Sequence, residues 1–213
     1  MPFAHPEIRV HREAHAALVA LADSGRRAGF ELRVRSGFRG FAAQARIWND
    51  KALGRRTIYD DGGVLLDTSG FAAPALLHAI LRWSALPGAS RHHWGTDVDV
   101  YDGRAEDGGA RIELLPQEAC EGGPCAEFEA WLGASCSQLG FFRPYARDLG
   151  GVAPEWWHIS YAPVSTHWLD ALSVGMLREA IEAEAETTPL ALTPTVMERL
   201  DEIHARYVLN VGM

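Results

Sequence analysis

Ser90-Arg91-His92-His93-Trp94-Gly95-Thr96-Asp97-Val98-Asp99, running on into Val100-Tyr101, is the stretch on which the fold turns. From Asp97 onward it alternates with period two. The carboxylates therefore share one face and the valines the other, which is the pattern of a half-buried strand. His92 stands just before that strand, and Gly95 lets the backbone bend between them. A second stretch, Glu155-Trp156-Trp157-His158, opens a predicted short strand over 155–161. In it His158 faces the same way as Trp156 and Ser160. If the two strands pair, His92, Asp99 and His158 meet on one face. Two imidazoles and one carboxylate hold Zn²⁺ while leaving its fourth position to water. Glu155, three residues before His158, is placed to take that water's proton. His93 and Asp97 are rivals to His92 and Asp99, and the pattern alone does not separate Asp97 from Asp99, because they share a face.

Working outward, residues 7–29 read as a helix, with Ile8, His15, Leu18 and Leu21 near one face and Gly29 to end it. Residues 31–35 alternate as a strand and run into the turn Ser36-Gly37-Phe38-Arg39. Residues 41–53 read as helix, 54–73 as a loop rich in Gly and Asp, and 75–86 as helix, stopped by Pro87-Gly88. The acidic, Gly-rich segment 102–124 reads as a surface excursion, and 126–139 as a helix around Phe128, Trp131 and Leu132. The last helix has Thr193 as cap, Pro194 in its first turn and an apolar stripe of Val196, Leu200, Ile203 and Tyr207. Glu182 to Glu186, before it, reads as a solvated face. The order α, β, α, α, β, α, β, α, α predicts an α+β fold, with helices packed around a small antiparallel sheet. The expectation is one domain over 1–213, with 163–213 a C-terminal helical extension.

Composition narrows the function. A chain of 213 residues with 47% hydrophobic and 23% charged residues can build its own core. A net charge of −8 without a basic cluster argues against a nucleic-acid partner. Arg26-Arg27 and Arg55-Arg56 read as isolated, solvated pairs. Cys120, Cys125 and Cys136 lack the paired spacing of a zinc ribbon, and either one disulfide or three free thiols fits them. His5, His11, His15, His78, His167 and His204 read as structural or surface residues. No stretch is apolar enough to span a membrane, and the first thirty residues show no apolar core of a signal peptide. A native N-terminus would make the protein cytoplasmic; a removed leader would place it in the periplasm or cell envelope.

The motif S-x-H-x-x-G-x-x-x-D at Ser90, His92, Gly95 and Asp99, followed about sixty residues later by E-x-W-H at Glu155, Trp157 and His158, resembles the zinc D-alanyl-D-alanine carboxypeptidases of the VanY type. The family's upstream S-G-Y/F-R segment and downstream Gln have counterparts in Ser36-Gly37-Phe38-Arg39 and Gln44. The resemblance runs over residues 30–162. It implies one zinc ion held by His92, Asp99 and His158, with Glu155 as catalytic base. It implies Arg39 as the cation that meets the substrate carboxylate or the developing oxyanion. Ser36, Gln44, Ser90 and Trp157 are then expected to meet substrate. The fold implied is that shared with lysostaphin-like peptidases and the hedgehog signalling domain. Asp97 departs from the family, where the position is usually small; it either orients a ligand histidine or faces solvent. His93 and Trp94 also depart from the commonest version.

The implied reaction is hydrolysis of a bond between D-amino acids at the end of a peptidoglycan stem peptide. The same residues permit an endopeptidase that cuts an internal bond. They also permit a zinc-binding domain without catalysis, although Glu155 beside a full ligand set favours an enzyme. An exopeptidase needs a closed pocket with a carboxylate anchor, and an endopeptidase needs an open groove.

Overall fold

The computed structural model describes residues 7–212; His5 lies outside them. At its centre is an antiparallel sheet in the order β1-β2-β4-β3, formed by β1 (Leu32–Ser36), β2 (Asp97–Asp102), β3 (Phe141–Phe142) and β4 (His158–Tyr161). The register sets Asp99 opposite His158 and Asp97 opposite Ser160. On the other side of β2, a bulge between Val34 and Ser36 brings Ser36 level with Asp99. Asp99 is therefore flanked by both neighbouring strands.

The valine face of the sheet meets α1 (Arg12–Arg27) and α5 (Ala126–Ser135). Leu18, Leu21, Val34, Val98, Val100, Phe128, Leu132 and Ile159 form a continuous apolar cluster there. A second cluster joins α2 (Phe41–Ala52) and α3 (Ala73–Leu81) to the C-terminal helices α6 (Ala162–Ala171), α7 (Val174–Ala183), α8 (Thr193–Glu198) and α9 (Leu200–Ile203). Trp48, Leu77, Ile80, Leu81, Leu177, Ile181, Leu200 and Ile203 are buried in it. An antiparallel sheet that covers one face leaves the other free for a site, and the carboxylates of β2 occupy that other face. Among the described residues, no helix is long and apolar enough to cross a membrane.

Several boundaries differ from the sequence reading, each for a physical reason. α1 starts at Arg12 rather than 7, because the preceding backbone is used elsewhere. The Arg9 carbonyl accepts from the Phe38 N–H at 2.7 Å, and the His11 N–H donates to the Gly95 carbonyl at 2.7 Å. α3 ends at Leu81 rather than 86; the Arg82 carbonyl turns to accept from the Ala153 N–H. β4 begins at His158 rather than 155, and Glu155 lies in the loop before it. Residues 136–139 leave α5 as a 3₁₀ turn.

The segment 102–124 is not a mere surface excursion. It forms the short helix α4 (Gly103–Asp107) and a 3₁₀ turn at Pro116–Ala119. Several of its acidic residues have partners: Glu106 pairs with Arg33 and Arg35 of β1, and Asp107 with Arg33. Glu118 is buried and accepts from the N–H groups of Glu113 and Leu115. The final helix is broken into α8, α9 and a π turn, His204–Val208. Leu192, with φ 65°, stands at its N-terminus, and the Thr193 hydroxyl donates backwards to the Leu190 carbonyl instead of capping. The predicted stripe of Val196, Leu200, Ile203 and Tyr207 is nevertheless buried. Cys120, Cys125 and Cys136 are all free thiols.

Candidate metal centre and cavity

His92, Asp99 and His158 converge, each buried, with one ligand atom from each lying within 4.8 Å of the others. His92 Nε2 is 3.3 Å from Asp99 Oδ2, and His158 Nδ1 is 3.3 Å from Asp99 Oδ1. Ligands about 2.1 Å from a tetrahedral ion sit about 3.4 Å apart, so the spacing suits a small cation. The other ring nitrogens support the same reading. His92 Nδ1 donates to the Gly37 carbonyl at 2.8 Å, and His158 Nε2 donates to Asp97 Oδ1 at 2.9 Å. Each histidine thus turns its other ring nitrogen toward Asp99. This tautomer arrangement, with the far nitrogen engaged, is what a metal-ligating imidazole requires.

Two glycines make the approach. Gly95, at φ 70°, closes the 3₁₀ turn Arg91–Trp94 that carries His92. At Gly37 a side chain would place its Cβ 2.4 Å from the Arg9 carbonyl oxygen. Only glycine fits this close approach, and it is the Gly37 carbonyl that meets His92.

The register separates the two aspartates that the pattern left open. Asp99 faces both histidines; Asp97 lies on the far side of His158. Asp97 is fully buried and accepts from Arg91 Nε at 2.7 Å, Thr96 Oγ1 at 2.8 Å and Ser160 Oγ at 2.9 Å, besides His158. Arg91, itself 3% exposed, also donates to Ser160 Oγ and lies 4.8 Å from the ring of Trp94. Burial opposes the charge on Asp97, but Arg91 and His158 outweigh it and hold the carboxyl well below its usual range. Asp99 is likewise held low, against its burial, by His92 and His158. Burial and the Arg39 guanidinium push His92 down. Burial also opposes charge on His158, but hydrogen bonds to Asp97, Asp99 and Glu155 raise it well above the usual value.

Glu155 Oε2 is 3.2 Å from His158 Nδ1. Its backbone N–H is anchored on the Tyr145 carbonyl at 2.9 Å. Tyr145 packs edge-on against His158 with ring centroids 5.0 Å apart, and burial raises its hydroxyl to about 12. Arg39 follows from the turn after β1; its backbone N–H donates to the His92 carbonyl at 3.1 Å. Arg39 Nε is buried without a hydrogen-bond partner.

These groups line a cavity of about 190 Å³. Of the four residues expected to meet substrate, Gln44, Ser90 and Trp157 line it, and Ser36 does not. Ser36 is instead spent in the β1–β2 register. His93 is not a ligand: Nδ1 donates to the Arg39 carbonyl at 2.6 Å, and Nε2 accepts from the Gly88 N–H at 3.0 Å. It fastens the Arg39 turn to the His92 turn. Trp156 and Trp157 are both buried, and Trp156 Nε1 donates to the Leu115 carbonyl, tying segment 102–124 to the loop that carries Glu155. Sequence reasoning missed Arg91, Tyr145, Lys51 and Arg56, and read Arg56 as solvated. Arg56 is exposed but lines the cavity, as does Lys51. A signal for Lys51 was present: Gln44, Ile47 and Lys51 recur at helical spacing, and all three line the cavity.

Comparison with known proteins follows the same site. The chain resembles the crystal structure of a mutant of the vancomycin-resistance D,D-pentapeptidase VanY, from a VanB-type resistance cassette, in complex with Zn(II). That match has a TM-score of 0.54 and 25% identity, and covers 82% of this chain and 85% of the other. VanYB in complex with D-Alanine-D-Alanine matches with TM-score 0.53 and 23% identity over 89% of this chain and 83% of that one. The LdcB LD-carboxypeptidase matches with TM-score 0.52 and 20% identity over 85% and 74%. The last two support the fold. Two uncharacterised proteins of Haemophilus influenzae are also similar. One is 29% identical over 123 residues, 57% of this chain and 91% of the relative. The other is 43% identical over 74 residues, 35% and 51% of the two chains. A family model described as VanY: D-alanyl-D-alanine carboxypeptidase matches residues 7–164, a span that takes in every residue of the site just built. The chain belongs to that family, and is an enzyme of its metallopeptidase kind.

Proposed function

We propose that the protein is a zinc-dependent D,D-carboxypeptidase that releases the terminal D-alanine of peptidoglycan stem peptides. The observation that carries this reading is the convergence of His92, Asp99 and His158 with Glu155 beside them, at a small cavity whose other wall is cationic. Zinc bound by His92 Nε2, His158 Nδ1 and Asp99 would polarise the scissile carbonyl and bring the pKa of its water toward about 7. Glu155 accepts the proton of the attacking water and hands it to the leaving amine. Asp97 holds the His158 ring through Nε2–H, so that Nδ1 stays unprotonated while a cation is bound. Arg39 presents N–H groups to negative charge on the substrate, in a setting where burial makes each hydrogen bond count for more. Trp157 and Tyr145 wall the cavity and limit water.

The test is product analysis. The zinc-loaded protein is incubated with a stem pentapeptide ending in D-Ala-D-Ala, and its products are weighed by mass spectrometry. Loss of one alanine, with free D-alanine in solution, is the expected result. Internal fragments without free D-alanine would instead identify an endopeptidase.

A further inference from the structure

α2 carries a second cation into the cavity. Lys51 is 7% exposed and lies two turns beyond Gln44, on the same helix face. Among the described residues its ammonium has neither an ion pair nor a hydrogen bond. A buried, unpaired ammonium is costly, and among the described residues the charge of Glu155 offsets only part of that cost. Burial, then Arg56, push its pKa down to about 8; Glu155 pulls the other way, and Arg39 adds a smaller push downward. The atoms around it are unsatisfied too: Arg39 Nε and Gln44 Oε1 are buried without partners. The carboxylates within reach are engaged, Asp99 with both histidines and Glu155 with His158. The cavity therefore holds more positive charge than its own acids answer.

The two cations, buried Lys51 and half-buried Arg39, are not equivalent. The charges of both Asp99 and Glu155 act on Arg39, and that of Glu155 acts on Lys51. Arg39 is tied to the His92 turn, its backbone N–H donating to the His92 carbonyl at 3.1 Å, whereas Lys51 comes from the last turn of α2. In a peptide ending in D-Ala-D-Ala, the terminal carboxylate lies one residue beyond the scissile carbonyl, ~3.8 Å from Cα to Cα. Two centres of negative charge in the transition state call for two cations at different depths.

We propose that Lys51 is the anchor for the substrate's terminal carboxylate, which leaves Arg39 to the scissile carbonyl and its oxyanion. The inference rests on the carboxypeptidase reading and sharpens it, because such an anchor selects a free chain end. Lys51 is a specificity-determining residue here and takes no part in the bond cleavage.

Binding is measured by calorimetry on zinc-loaded protein carrying Glu155→Gln, so that ligand is not consumed. The ligands are D-alanyl-D-alanine and its C-terminal amide, each titrated with Lys51 intact and with Lys51→Met. With Lys51 intact, the acid binds tighter than the amide by about 10- to 100-fold, the span of one charge-assisted hydrogen bond. Lys51→Met removes that preference and leaves amide binding within about twofold. In the Glu155 enzyme, Lys51→Met raises KM and spares kcat. Equal binding of acid and amide with Lys51 intact overturns the proposal. So does a preference that survives Lys51→Met, or a fall in kcat at unchanged KM, which would make Lys51 a residue that positions Glu155. Failure of the wider reading looks different: no D-alanine is released, while the preference for the acid remains.

Discussion

His158 is held among three carboxylates, with Asp97 at one ring nitrogen and Asp99 and Glu155 at the other. That ring of acceptors favours a cation at this point: a proton on the ring, or a metal in its place. The division of labour at this residue scale is open to mutation. Glu155→Gln keeps shape and hydrogen bonding but cannot take a proton. The expected loss in kcat is about 10²–10⁴-fold, with zinc content unchanged in metal analysis; a fully active variant would remove Glu155 from the chemistry. Asp97→Asn tests the ring's support. It should weaken zinc binding about 10- to 100-fold in a chelator competition. It should also lower stability by about 3–5 kcal/mol in urea titration, because Arg91 is left buried without its counter-charge. The convergence of His92, Asp99 and His158 was legible in the sequence, because few other arrangements place His, Asp and His near two strands. The alternation alone did not separate Asp99 from Asp97, since both point to one face; the motif's resemblance singled out Asp99, and the register with His158 sets it opposite that ring.

At the scale of elements, the site depends on turns being pulled together by backbone contacts. The Gly37 carbonyl holds His92, the Arg9 carbonyl holds the following residue, and the His11 N–H holds Gly95. Gly37→Ala would drive a methyl into the Arg9 carbonyl. Overpacking of this kind costs about 1–3 kcal/mol, or several degrees in the melting temperature at this chain length. Zinc affinity should fall with it, because His92 loses the acceptor that fixes its tautomer; a variant with wild-type melting and zinc affinity would contradict this account of the turn. β2 was readable because its two faces differ in polarity. The start of β4 was not, because Glu155-Trp156-Trp157 is buried loop, where burial no longer alternates. Lys51 escaped notice because a lysine on a helix is ordinarily solvated, although its spacing from Gln44 marked the cavity face. Segment 102–124 was misread because acidity suggested solvent, while its acids pair with the arginines of β1.

On the scale of the whole molecule, two apolar clusters supply the stability, and the cavity draws on it. Lys51 shows how much. Its folded pKa of about 8 lies below its unfolded value, so the folded state binds its proton less tightly. The resulting penalty is fully present below pH 8, on the order of 3 kcal/mol. It is relieved as pH rises from about 8 toward the unfolded value near 10.5. Lys51→Met should therefore melt higher than wild type at pH 7, and the gap should narrow by pH 10. A variant less stable at pH 7 would show that the ammonium has a structural partner. Apolar periodicity made the α+β layering legible; the break of the last helix at Arg199 and its π turn carried no such signal. The account as a whole stands on one metal ion serving one hydrolytic site. Zinc is added in steps to metal-stripped protein while D-alanine release from a stem peptide ending in D-Ala-D-Ala is recorded. Activity should be absent at the start, rise in proportion to zinc and level off at one equivalent per chain. Release of D-alanine by the metal-stripped protein, or none after zinc is restored, would contradict it.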